Sequence, residues 1–297
     1  MKPKIIIIVG PTASGKSGLA EAIAEKFNGE ILCVDSRTVY RGMDIGTAKD
    51  SGDLVGDVKA LRLHGLDLVG PNQEMNGALF KDYADKTITE ILSRGHLPIL
   101  VGGTGLWMDM IVDNLEMPEV EPDLTLRAEL EKQSEEDLFA EFEKLDPVGA
   151  EVIDRHNKRR LVRALEVCKK TGRPFSELRK KGEGKYDALW LGLDVPKEVL
   201  DERINVRVDE MIKQGLLKEV KQLKEKYGCE VYAMSGIGYQ EICRHLNGEI
   251  SLAEAIEEIK KNTRQYAKRQ RTWFKRNKNI RSITDVSETE LIVQAFL

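Results

Sequence analysis

An apolar, largely β-branched run at residues 5–9 stops at a glycine and passes directly into Gly10-Pro11-Thr12-Ala13-Ser14-Gly15-Lys16-Ser17. Downstream, Leu19, Ala20, Ile23, Ala24 and Phe27 recur at helical spacing. A strand, a glycine-rich turn fitting G-x4-G-K-[ST], and a helix in that order constrain the chain more than any other feature. The glycines let the backbone turn tightly so that its N–H groups converge on an anion at the positive end of the helix. Lys16 adds a mobile cation, and the Ser17 hydroxyl is placed to hold Mg2+. The motif specifies phosphate and does not by itself specify ATP.

The rest of the chain extends this start into an open sheet. Residues 30–34 form a second short apolar run ending at Asp35, and residues 97–101 a third, after a helical stretch at 80–93. The third run ends in Gly102-Gly103-Thr104-Gly105, and residues 188–193 supply a fourth strand candidate. Strands alternating with helices, with glycines and polar residues at the strand ends, predict an α/β fold. The expected architecture is a P-loop NTPase-like parallel sheet flanked by helices, with ligands at the carboxyl ends of the strands. The segment between Pro118 and Gly184 breaks the rhythm with helices at 124–145 and 157–170. The chain thus divides into a first part of the core (1–118), a helical insertion domain (119–187), and a completion of the core with basic helices (188–297). Lys197–Gln214, Leu216–Tyr227 and residues 252–277 read as the late helices.

Asp35 opens the stretch 35–49 at the rim of the sheet, where a carboxylate beside a phosphate loop can bind Mg2+ or accept a proton. An aspartate there is equally a turn or cap residue on the sequence alone. Thr104 brings a hydroxyl to the same rim.

Charge narrows the partner. The net charge is −4, yet residues 260–281 carry ten Lys or Arg and no acid, which leaves about −14 on the remainder. Arg264, Lys268, Arg271 and Lys275 fall on one helical face with no acid within the run, which indicates an anionic partner. Tyr266 and Trp273 share another stripe and read as core anchors. Lys158-Arg159-Arg160-Leu161-Val162-Arg163 is a second basic cluster whose buried side is Leu161, Val162, Leu165 and Cys168. Hydrophobic residues make up 41% of the chain and charged residues 32%, and no apolar run approaches the roughly 20 residues of a membrane span. A cytoplasmic protein without membrane attachment is expected. Cys33, Cys168, Cys229 and Cys243 form no CxxC pair, so reduced thiols without disulfides are expected. His64, His96, His156 and His245 show no metal-binding spacing.

Six blocks, GPTASGKS, DSRTVYRGMDIGTAK, GGTGLW, RRLVRALEV, GIGYQE and TRQYAKRQRTWFKR, follow one another across nearly the whole chain. Together they closely resemble the tRNA dimethylallyltransferase (isopentenyltransferase) family. The resemblance implies that the phosphate loop, Gly10 to Ser17, holds the pyrophosphate of dimethylallyl diphosphate. The prenyl group would go to N6 of the adenosine 3′-adjacent to the anticodon of tRNA. It implies Asp35 as acceptor for the adenine amine, Thr104 at the reacting groups, and Lys16, Ser17 and Mg2+ on the departing pyrophosphate. Arg207 resembles the arginine that clamps pyrophosphate. Asp35, Ser36, Arg37, Thr38 and Thr104 would face the target base and its neighbours. Arg127, Arg159, Arg160, Leu161, Val162 and Arg163 of the insertion, with Arg264, Lys268 and Arg271 of the late helix, would meet tRNA. Residues 235–240 resemble a loop near the anticodon stem. Arg37-Thr38 stands where Met-Gln is usual, residues 62–67 lack the usual paired histidines, and Trp107 replaces a common tyrosine. The zinc finger of eukaryotic relatives is not found at the end of the chain, which implies a bacterial-type enzyme, expected to act as a monomer.

Three other classes share part of this pattern. An adenylate isopentenyltransferase acting on free AMP, ADP or ATP needs the phosphate loop but neither basic segment. A small-molecule P-loop kinase likewise has no use for the basic helix, and a non-catalytic nucleic-acid-binding protein leaves the phosphate loop without a purpose.

Overall fold

The computed structural model describes residues 2–49, 62–118, 120–178 and 180–297. The sequence opens with β1 (Lys4–Val9), five of whose six residues are buried, as a strand covered on both faces requires. The phosphate loop leads into α1 (Lys16–Lys26), and β2 (Gly29–Cys33), β3 (Leu63–His64), α2 (Gly77–Ser93), β4 (Leu97–Gly102) and α3 (Gly105–Val112) follow. The insertion holds β5 (Leu115–Glu116), α4 (Leu124–Leu130), α5 (Glu135–Leu145), α6 (Pro147–Ala150), α7 (Lys158–Thr171), α8 (Phe175–Leu178) and β6 (Lys180–Lys181). The core resumes with β7 (Asp187–Leu193), α9 (Lys197–Gln214), α10 (Leu216–Tyr227), α11 (Tyr239–Leu246), α12 (Leu252–Phe274), β8 (Arg281–Ile283) and α13 (Val286–Phe296).

The main sheet has the order β3-β2-β4-β1-β7-β8, and every pair in it is parallel. Parallel pairing without hairpins forces crossovers through helices, and α1 covers one face, its Leu19, Ala20 and Ile23 clustering with Ile31, Ile99 and Leu191 of the strands. Register fixes the site. Val9 pairs with Gly102 and Gly192, and Cys33 with Val101. The turns after β1, β2 and β4 therefore leave the sheet side by side at its carboxyl edge.

Chain contacts separate this core, residues 1–112 with 185–297, from a second unit, Asp113–Gly184. The sequence expectation of 119–187 is corrected at both ends. Asn114 and Gly182 are hydrogen-bonded within the insertion, whereas Lys185 and Tyr186 bond Asp85 of the core. Glu119, where that expectation set the start, lies outside the described residues. The insertion has its own core, in which Leu138, Phe142, Leu161 and Leu165 are fully buried.

Three further corrections have local causes. The helix expected at 124–145 is two helices, because the Ser134 hydroxyl accepts the Asp137 amide and starts α5 anew. The late helix ends at Phe274 rather than 277, and α11, β8 and α13 were not anticipated. Cys229 and Cys243 form a disulfide instead of standing as separate thiols. Gly228 ends α10 just before Cys229, and the 3-10 turn Tyr232–Ser235 reverses the chain. The two Cα atoms thereby come within 6.1 Å, a bridgeable separation. Cys33 and Cys168 are buried thiols. Among the described residues no helix is long and apolar enough to cross a membrane.

Candidate active site

The phosphate loop turns as its sequence requires. Gly15, at the N-cap of α1, has φ of 92°, and Ala13 has φ of 61°. The Lys16 ammonium donates to the Pro11 carbonyl at 2.6 Å, which keeps the cation over the loop. Ser14 is buried, with its hydroxyl lacking a hydrogen-bond partner among the described residues, and Ser17 lies in the first turn of α1. A cleft of about 550 Å3 opens beside the loop, walled by Ala13, Gly15, Ile45, Ala48, Val206, Arg207 and Met211. Glu202, Arg203, Glu210 and Gln214 also line it, so the cleft is charged as well as apolar, with Arg203 and Arg207 its cations. Asp35, Thr104 and Lys16 are not in its walls.

The far wall of the cleft is held from behind. Both carboxylate oxygens of Glu219 on α10 accept backbone amides, from Asp44, Ile45 and Gly46 at 2.8–3.1 Å, and the Tyr239 hydroxyl donates to it at 2.7 Å. Gly46 is required there, since a Cβ would fall 2.5 Å from the Tyr239 ring. Buried Lys49 closes the same loop through the Tyr40 carbonyl, Asp44 and Asp67.

Asp35 leaves the end of β2 and accepts the Arg37 amide at 2.8 Å. The Ser36 amide donates to the Thr104 hydroxyl at 3.1 Å, which joins the turns after β2 and β4. The Arg37 guanidinium lies over the Tyr232 ring at 4.8 Å and donates to the carbonyls of Tyr232 and Ala233. Arg37 thus binds the aspartate turn to the 3-10 turn ahead of α11. Thr38 is buried, and its hydroxyl has no hydrogen-bond partner among the described residues.

Helix α12 completes this edge with a stripe at i, i+4 and i+7. The Tyr266 phenol lies near Thr104 and the Asp35 carboxylate. Burial and the nearby Asp35 carboxylate push the phenol's pKa up, so it remains a donor at neutral pH. Gln270 is buried between the phosphate loop and the Gly103 carbonyl, and the Trp273 indole donates to Asp109 at 3.2 Å. Tyr266, Gln270 and Trp273 were missed as site residues. The stripe of Tyr266 and Trp273 is the visible signal in the sequence, although on its own it reads as a core stripe.

Comparison with known proteins shows the family to which the chain belongs. A curated tRNA dimethylallyltransferase of Pelotomaculum thermopropionicum is 42% identical, over 99% of this chain and 95% of that protein. A solved tRNA isopentenylpyrophosphate transferase of Bacillus halodurans superposes with a TM-score of 0.74 at 36% identity, covering 99% of this chain and 95% of that one. A eukaryotic dimethylallyltransferase described as acting on tRNA superposes with a TM-score of 0.77 at 30% identity, over 99% of this chain and 78% of that one. The family model for IPP transferase matches residues 38–277. The chain belongs to the IPP transferase family.

In this member of the IPP transferase family, the core brings together the phosphate loop, Asp35, Ser36, Thr104 and α12, while Arg207 faces the cleft. The basic residues of α12 are less available than their sequence suggests. Arg264 donates to Asn205 and Arg271 to Asp194 at 2.9 Å, so partners come from other elements; Lys268 is exposed. In the insertion, the side chains of Leu161 and Val162 are buried in its core and cannot meet RNA, which corrects their assignment. Arg127 and Arg163 both bond Glu166, which is fully buried, so their guanidinium groups anchor α4 and the start of the insertion to α7. Burial alone would raise the Glu166 pKa, but Arg127, the Asp123 amide and Arg163 outweigh it and hold it at about 2. Arg159 and Arg160 are exposed on that helix.

Proposed function

We propose that this chain transfers a dimethylallyl group from dimethylallyl diphosphate to N6 of the adenosine 3′-adjacent to the anticodon of tRNA. The observation that carries this is the shared edge: phosphate loop, Asp35 and Thr104 meet one helix, α12, which bears most of the concentrated positive charge. Membership in the IPP transferase family supports the same chemistry.

The reaction is a displacement at an allylic carbon. The N6 lone pair forms a bond to C1 of the dimethylallyl group while the C1–O bond to diphosphate breaks, and diphosphate leaves with the electron pair. The extra proton on N6 passes to the Asp35 carboxylate, which the Arg37 amide holds in place. Lys16 and the loop amides stabilise charge gathering on the leaving group, and Arg207 binds it from the cleft side. Thr104, held by the Ser36 amide, orients the reacting groups. The target adenine would be swung out of the anticodon loop to reach this edge.

Mg2+ fits the donor set. Among the described residues no three His, Cys, Asp or Glu groups form a metal cage. Mg2+ commonly keeps few protein ligands and takes its others from phosphate and water. The Ser17 hydroxyl would hold it, and the ion would neutralise charge on the diphosphate. The chain is proposed to act as a monomer in the cytoplasm. Incubation with labelled dimethylallyl diphosphate and an equimolar mixture of unmodified tRNA and AMP tests the assignment. Label is expected in tRNA; label in AMP alone would assign the chain to the adenylate enzymes.

A further inference from the structure

The Pro11–Thr12 peptide is gripped at both ends. Its carbonyl, on Pro11, accepts the Lys16 ammonium at 2.6 Å and the Ser14 amide at 3.3 Å. Its N–H, on Thr12, does not join the amides that face phosphate; it donates to Oε1 of Gln270 at 2.8 Å. A trans peptide is planar, with its C=O and N–H pointing in opposite directions. Fixing the N–H therefore fixes the carbonyl that carries the lysine.

The other half of the Gln270 amide is also committed. Its Nε2 donates to the Gly103 carbonyl at 3.1 Å, one residue before Thr104. Gln270 is 5% exposed, and a Cβ on Gly103 would lie 1.9 Å from that nitrogen, so the glycine exists at this point to admit the amide. The donor on one side and the acceptor on the other allow only one orientation of the amide. A glutamine four residues from Tyr266 thus ties α12 to the two turns that carry Lys16 and Thr104.

We propose that Gln270 is a positioning residue for prenyl transfer, setting the Lys16 ammonium through the plane of the Pro11–Thr12 peptide and setting Thr104 through the Gly103 carbonyl. It touches neither substrate. The proposal rests on Lys16 as the diphosphate-binding cation, and it adds that donor binding depends on a side chain of the helix assigned to RNA.

Two substitutions separate hydrogen bonding from space filling. Gln270→Met keeps the length and volume and removes both bonds. Gln270→Glu keeps an oxygen for the Thr12 amide and loses the donation to Gly103. Steady-state transfer is measured at saturating tRNA, with direct titration of dimethylallyl diphosphate, tRNA binding and thermal unfolding recorded on the same full-length proteins. Gln270→Met is expected to raise the donor KM and Kd about tenfold, the scale of one lost hydrogen bond, and to lower kcat, with tRNA affinity unchanged. Gln270→Glu, which keeps an acceptor for Thr12 but puts a carboxylate oxygen against the Gly103 carbonyl, should reduce kcat. A folded Gln270→Met protein with wild-type donor KM and kcat would overturn the proposal. So would a Gln270→Glu protein with wild-type kcat, since it lacks the bond to Gly103 that sets Thr104. A wild-type protein that binds donor without prenylating tRNA would refute the proposed function instead, and donor titration of the variants would still decide the role of Gln270.

Discussion

Asp35 sits in a turn whose geometry does not depend on its charge. Its carboxylate accepts the Arg37 amide, and an asparagine oxygen in the same place can accept that amide equally well. Asp35→Asn should therefore leave tRNA affinity and folding unchanged while lowering single-turnover transfer by about 10²–10⁴-fold, the scale for a positioned acid–base group. Lost tRNA binding with unchanged chemistry would make Asp35 a docking residue. Glu166 shows the converse, a charge whose purpose is structural. Its pKa is held at about 2, below the carboxylate range of an unfolded chain, so the native state binds fewer protons. Its contribution is complete above about pH 4.5 and is lost as pH falls towards 2. Acid titration followed by hydrogen exchange in α4 and α7 should show protection falling through that window, and Glu166→Gln should abolish its steepness. An unchanged profile in Glu166→Gln would remove Glu166 as the cause.

At the level of elements, α12 has two faces with different tasks. Tyr266, Gln270 and Trp273 face the catalytic edge, while Arg264, Lys268 and Arg271 lie on another side. Arg264 and Arg271 already bond Asn205 and Asp194, but Asn205 is neutral and the Asp194 side chain is 69% exposed, so neither guanidinium is neutralised as a buried pair would be. Replacing all three by Gln should weaken tRNA binding and reduce the slope of log K against log salt by about 0.7–0.9 per lost phosphate contact. Donor titration should be unaffected, and an unchanged salt slope would leave this face merely solvated. The elements themselves were legible to very different degrees. The spans of α9 and α10 are read directly from sequence because Gly215, with φ of 107°, and Gly228, with φ of 77°, end them in conformations other residues resist. Helix α11 was not, since eight residues after a glycine turn carry too few turns of periodicity to stand out. Strand β8 is three residues long and gains its identity from pairing with β7.

For the whole molecule, the parallel sheet and the edge that carries the site followed from one motif and three apolar runs, because residues at the ends of parallel strands must converge. Contacts that depend on how the chain folds back did not follow. A glutamine in a basic helix reads as solvated until the fold places it between Thr12 and Gly103, and Cys229 finds Cys243 only after the chain reverses. The same limit applied to Arg127, whose partner Glu166 lies 39 residues away in sequence. The central claim concerns a single atom of the RNA, and it is tested most directly at that atom. Two unmodified transcripts of one tRNA would be compared, one with adenosine 3′-adjacent to the anticodon and one with guanosine there, each incubated with labelled dimethylallyl diphosphate and digested to nucleosides. The structure and its family lead to prenylated adenosine from the first transcript and none from the second. Equal labelling of both transcripts would contradict it.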